Sequence, residues 1–225
     1  MYPFKIHPTP SRQIGAIYGE TKTKQMRIII FFLFGFLSTF LSAQTFQDYE
    51  NIKTEYKRNS KIDSSDKSAL NILISFYEEV HQATNGSLSE LTLNTLTNFL
   101  ESKKSKNKHL IQLFFIYQDY ITECASKNIK ANSDYQIKLI EDIENEITSI
   151  YKLTPTIISI YKYESYELAK TKKKALETVQ NGLLNNPKSI PLKVYLFLLT
   201  NDEKIKQELI QNHSSHWLVK QNNIK

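Results

Sequence analysis

Residues 44–225 predict an all-α fold, a helical bundle of about seven to nine helices. Three observations carry this. Glycine occurs there only at Gly86 and Gly182, and proline only at Pro155, Pro187 and Pro191, so breakers are too sparse for the many turns of a sandwich or barrel. Apolar residues recur at steps of three and four through most of the region. Cap-forming residues such as Asp63-Ser64-Ser65-Asp66 and Asn85-Gly86 stand where these periods break.

The segment before the bundle reads as an export leader. Ile28–Leu41 is interrupted only by Gly35, Ser38 and Thr39; Lys22, Lys24 and Arg27 precede it, and Ser42-Ala43 close it. That order of charge, apolar run and small residues is a secretory signal, with cleavage expected between Ala43 and Gln44. A membrane-crossing helix needs about 20 apolar residues, so a retained anchor is the weaker alternative. The expected organisation is an upstream segment 1–25 that drops out if translation starts at Met26, a signal at 26–43, and one helical domain at 44–225. The mature protein is then exported and soluble, touching a membrane only through an uncleaved signal.

Net charge is +6 from 29 basic and 23 acidic residues, but five of the basic and one of the acidic residues precede residue 44. The remainder is close to neutral. The dense cluster Lys170, Lys172, Lys173, Lys174 reads as a solvated helix face, and a nucleic-acid partner is not expected. Cys124 is the single cysteine. It sits among Tyr120, Ile121 and Ala125 as a buried thiol, and no disulfide framework is needed.

Taken in order, Phe46, Tyr49, Ile52 and Tyr56 give a first helix to about Arg58. Leu70, Ile72, Leu73, Phe76, Tyr77 and Val80 give a second, ending before Asn85-Gly86. Ser87 with Glu90 forms a capping-box pattern for a third, whose apolar residues are Leu88, Leu91, Leu96, Phe99 and Leu100. After the charged connector 103–108, His109–Ser126 has almost no polar face at its start and belongs at the centre of the bundle. His109 reads as a helix-terminal residue rather than a ligand.

A fifth helix, Ser133 to Lys152, places Ile140, Ile143, Ile147 and Ile150 on one seam. Glu141, Asp142, Glu144 and Glu146 are expected to point outward, complementing the helix dipole. Thr154-Pro155 starts the next helix with proline at its first position. The β-branched run Thr156–Tyr163 leaves a strand as the alternative. Ser189–Thr200, opened by Pro191, and Asn201–Asn212 form a final helical pair.

Tyr166, Ala175, Val179, Gly182 and Pro187 fall at the spacings of the tyrosine, small, large apolar, small and proline positions of a tetratricopeptide repeat over residues 156–189. The segment resembles one such helical hairpin. The early tryptophan-leucine-glycine portion is absent, with Tyr163 where a small residue belongs. The resemblance implies a repeat-like C-terminal hairpin and a protein-interaction role.

No residue set specifies a catalytic site, and no cofactor motif is present. The leading expectation is a non-catalytic interaction or scaffold protein of a bacterial envelope, monomeric, holding a protein or peptide partner in a groove. Tyr161, Tyr163, Tyr166 and Tyr195 are the candidate partner-binding residues, with core packing as their alternative role. An immunity-type inhibitor that binds one toxin fits equally well. A small exported metal-dependent hydrolase using His213 and His216 is the third reading; zinc, however, wants three or four ligands, and no acid or thiol is placed to complete the pair. Docking of Trp217 as a C-terminal cap is the simpler account of that segment.

Overall fold

A computed structural model describes residues 46–225, and these form ten α-helices and one π-helical turn, with no strand among them. The leader and its cleavage point, Ala43 and Gln44, lie outside the described residues. No helix among the described residues is long and apolar enough to cross a membrane.

The first helix, α1 (Phe46–Asn59), buries Tyr49 and Tyr56. It leads through a loop into α2 (Ser68–Phe76), which continues directly into the π turn Tyr77–Gln82. The second expected helix is therefore two kinds of helix in sequence. Next comes α3 (Glu90–Glu101), whose cap is Ser89, not Ser87: the Ser89 hydroxyl accepts from Thr92 N–H at 3.2 Å. The carboxylate that reaches back to the Ser89 N–H, at 2.6 Å, is Glu79 of the π turn rather than Glu90. Leu93 joins Leu96 and Phe99 on the buried stripe, and Leu91 is 76% exposed.

Between α1 and α2 the loop is tied to Asn107, which is fully buried at φ 56°. Its amide nitrogen donates to the Asp63 carbonyl and the Tyr151 hydroxyl, both at 2.7 Å, while its amide oxygen accepts from Asp63 N–H at 2.9 Å. Asparagine tolerates this left-handed backbone better than most residues, and its side chain satisfies loop groups that burial would otherwise leave orphaned.

The remainder is a run of helices joined by short connections, which makes consecutive neighbours antiparallel: α4 (Lys108–Ser126), α5 (Ser133–Tyr151), α6 (Thr156–Leu168), α7 (Lys172–Asn185), α8 (Ile190–Thr200), α9 (Glu203–His213) and the short α10 (Trp217–Gln221). Pro155 is the cap of α6 rather than its first residue, and the β-branched run is helical. Helix α4 buries His109, Leu110, Ile111, Leu113, Phe114 and Tyr117, consistent with a central position.

On α5, Ile140, Ile143 and Ile147 are fully buried and Ile150 nearly so. Each such side chain contributes roughly 1.5–3 kcal/mol by leaving water. The acids of α5 do not simply face solvent. Asp142 accepts from Lys53 of α1 at 2.8 Å and from Lys138 at 2.6 Å, and Glu146 accepts from Lys57 at 2.8 Å. Glu144 pairs with Lys162 of α6, and the Tyr166 hydroxyl donates to Glu141. These side chains bind α5 to both neighbours, because a half-buried carboxylate is stable there only with donors at hand.

The α6–α7 hairpin closes on Ala175, Val179 and Gly182, all buried. A Cβ on Gly182 would stand 3.1 Å from Ser159 Cβ and 2.7 Å from Leu192 Cδ1. The close approach of the two helices thus falls at Ser159, one turn before Tyr163. Tyr163 instead stacks on Tyr195 of α8, with ring centroids 4.1 Å apart.

Candidate functional site

Side chains of α4, α6 and α8 meet through aromatic contacts: Tyr117 to Tyr161 at 5.2 Å between centroids, and Tyr163 to Tyr195. Part of this layer is covered. Phe76 of α2 packs on Phe114 at 5.8 Å, and His81 of the π turn meets the Tyr161 ring edge-on, its Nε2 3.0 Å from the hydroxyl. The same turn holds the start of α8, where Gln82 Oε1 accepts from Ile190 N–H at 3.0 Å.

One helical turn beyond this cover, the layer presents a different set of groups. Gln118 follows Phe114, Glu164 follows Tyr161, and Tyr195 follows Leu192, each at the spacing that keeps one helix face. Gln118 and Glu164 are partly exposed. The Tyr195 hydroxyl donates to Glu164 Oε1 at 2.9 Å. Gln118 stands within hydrogen-bonding reach of the Tyr161 hydroxyl. Further along are Thr122, Glu167 and Leu198, all exposed, the last by 41%. This partly exposed face of α4, α6 and α8, termed the shelf, is bordered by the π turn.

Glu164 is the unusual group on it. Desolvation pushes its pKa up to about 7, against a weaker opposing effect of the Tyr195 hydrogen bond. Burial disfavours the charged form of a carboxyl group, which is the direction seen here. Among the described residues it has no lysine or arginine partner, unlike Glu50, Asp142, Glu144, Glu146 and Glu208. Asp119, which burial pushes up to about 6, has Glu123 as its charged neighbour and lies towards Tyr56 of α1.

The four tyrosines singled out in the sequence are interior. Tyr161, Tyr163, Tyr166 and Tyr195 are at most 6% exposed. Burial is the first cause raising each hydroxyl pKa, so all four are neutral near pH 7. They do not line an open groove: Tyr161 and Tyr195 are buried beside Glu164, and Tyr166 donates to Glu141 of α5. Glu164 and Gln118 were passed over in the sequence. The available signal was an acid at position 164 inside the otherwise apolar and aromatic face of α6, three residues after Tyr161.

His213 and His216 do not act as a pair. His216 is 1% exposed and caps α10: its Nδ1 accepts from Leu218 N–H at 3.2 Å. That fixes the proton on Nε2, which donates to the His81 carbonyl at 2.9 Å. Both ring nitrogens are therefore engaged inside the fold, while His213 ends α9 and is partly exposed. No group of three or more His, Cys, Asp or Glu that would hold a metal gathers among the described residues. Trp217 stacks on His216 and lies against Gly86, whose φ of +59° suits glycine and leaves room for the indole.

Burial pushes the His81 pKa down to about 4, with His216 adding to the shift. His109, buried at the start of α4, is likewise pushed to about 4. Both are neutral near pH 7. Cys124 is buried and its thiol pKa raised, which suppresses the reactive thiolate. A shallow polar depression on α9, lined by Glu203, Gln207 and Asn212 among others, belongs essentially to one helix and gathers no convergent chemistry.

Comparison of the chain with protein-family profiles, with curated proteins and with solved structures finds no significant match.

Proposed function

We propose that the protein is an exported, non-catalytic interaction module of a bacterial envelope, and that it holds a protein or peptide partner on the shelf formed by α4, α6 and α8. The observation that carries this reading is Glu164, a desolvated carboxyl on a partly open face with no cation beside it among the described residues. Stability alone gives no reason to keep such a group, because an unpaired, half-buried charge costs free energy. Its neighbours support binding over catalysis: the tyrosine hydroxyls around it are neutral, and none of the described histidines stands with it. The charge, apolar and small order of residues 22–43 supports export, with the mature chain beginning at Gln44.

Site-specific photocrosslinking tests the binding reading. A photoreactive residue placed at Leu198 is expected to give a discrete adduct in cells, whereas the same residue at Lys173, on the exposed start of α7, gives none. Equal labelling from both positions, or from neither, refutes the shelf as the binding face. N-terminal sequencing of the fractionated protein tests export; a mature chain starting at Met1 or Met26 refutes it.

A further inference from the structure

We propose that residues 214–225 form an acid-released latch, docked on the π turn at neutral pH through His216 and His81, and freed when these rings are protonated while the rest of the bundle stays folded. This device is separate from the shelf and does not involve Glu164.

Two buried imidazoles join the latch to the turn. His216 accepts the Leu218 N–H through Nδ1 at 3.2 Å and donates from Nε2 to the His81 carbonyl at 2.9 Å. Only the neutral ring can do both. A proton added at Nδ1 sets a donor against the Leu218 N–H and removes the cap of α10. His81, 1% exposed, meets the Tyr161 hydroxyl through Nε2 at 3.0 Å, and its Nδ1 has no hydrogen-bond partner among the described residues. Charging that ring places a cation in the interior without a counter-ion, which burial makes costly.

The groups around the two rings offer no compensation. Tyr161 of α6 and His216 are the titratable groups that face His81. The start of α8 meets the turn through the uncharged Ile190 N–H and Lys188 carbonyl. His216 faces the main chain of His81 and Gln82, the Trp217 ring, and His213 at the end of α9. Lys193 of α8 and Glu208 of α9 act on His213 and pair with each other. Burial is the first cause lowering both ring pKa values, that of His81 to about 4, and a neighbouring histidine lowers each further. Once exposed, both rings return to the ordinary 6.5, so docking is fully favourable above that value and weakens as pH falls towards 4.

Little else holds the segment. Trp217 N–H donates to the Thr84 carbonyl at 3.3 Å, the indole lies against Gly86, and Leu218, Val219 and Ile224 are buried. A five-residue helix has almost no stability of its own, so α10 depends on these contacts and on its cap.

Trp217 is the single tryptophan of the chain, and its emission therefore reports the latch. The purified protein can be titrated from pH 7.5 to pH 4 by tryptophan emission, far-UV circular dichroism and NMR of the histidine rings. The emission should shift to the red between pH 6.5 and 4 with the helical dichroism retained, and the His216 ring should titrate at the same midpoint. His216→Asn keeps a capping acceptor without a titrating ring, so its midpoint should fall lower by about one pH unit or more. His213→Gln should leave the midpoint unchanged. Emission and dichroism that change together, or no emission shift above pH 4, overturn the latch. So do a His216 ring that titrates away from the emission midpoint, a His216→Asn midpoint equal to that of the wild type, and a His213→Gln midpoint displaced as far as that of His216→Asn. If His216→Asn is already undocked at pH 7.5, agreement or disagreement between ring titration and emission in the wild type decides.

Discussion

Replacing Glu164 by glutamine keeps the side-chain shape and the acceptor for the Tyr195 hydroxyl, and removes one desolvated charge. The folded-state pKa of about 7 lies above the ordinary 4.5. The folded chain thus holds this proton more tightly than the unfolded chain, and this group makes stability fall as pH rises from 4.5 to 7. The cost is absent below that window and fully present above it. A shift of this size corresponds to about 3 kcal/mol. Glutamine does not titrate, so the stability gap between variant and wild type should be about 1 kcal/mol at pH 5, grow through pH 6.5 and reach about 3 kcal/mol at pH 8. Urea unfolding at the three pH values measures it; the pH 8 midpoints should differ by about 1–2 M. His81 and His109 weaken both proteins alike towards acid and cancel in the difference. A gap that does not change with pH, or a variant less stable at pH 8, would refute the claim that Glu164 is buried at a cost.

Three further outcomes follow from the packing. Ala175 is fully buried in the α6–α7 seam, so Ala175→Leu should overpack it and cost about 1–3 kcal/mol by thermal or chemical unfolding; a neutral result would place the residue at the surface. Asp142→Asn removes the charge shared by Lys53 and Lys138, and should cost about 1–3 kcal/mol at pH 7. Because these lysines hold the Asp142 carboxyl below its usual range, that difference should shrink as the pH falls through the carboxylate range, and persistence of the full loss in acid would contradict the ion-pair account. His216→Ala should lower stability by about 1–2 kcal/mol through loss of the α10 cap, with no change in metal content by elemental analysis, whereas His213→Ala should leave stability within about 0.5 kcal/mol.

What the sequence made legible is local. The isoleucine seam of α5 is periodic enough to be read directly, and the C-terminal helical pair stands where it was expected, with Pro191 in the first turn of α8 and α9 beginning at Glu203, two residues after the expected Asn201. What escaped is whatever depends on partners far along the chain. The acids of α5 face outward on a helical wheel drawn in isolation; only α1, 89 residues earlier at Lys53, turns Asp142 into part of an interface. Glu164 escaped for the same reason, since its significance is the lack of a cation on α8, α4 or the π turn, and no window on α6 records that. The capping-box pattern at Ser87 misled because Ser89, two residues on, is held by Glu79 from the preceding turn, and a long-range hydrogen bond outweighed a good local match.

The π turn has a consequence for how this chain tolerates change in length. Relative to an α-helix, Tyr77–Gln82 accommodates an extra residue within the helical path. Removing one residue there would produce a more regular helix by every local criterion, and each following side chain would be rotated by about 100°. Residue 81 would leave Tyr161, residue 82 would leave the start of α8, and the carbonyl that anchors α10 through His216 would face elsewhere. Substitutions at these positions therefore act on one contact at a time, whereas a single-residue deletion acts on three helices at once. Lineages carrying this fold should vary in residue identity along 77–82 far more freely than in residue number.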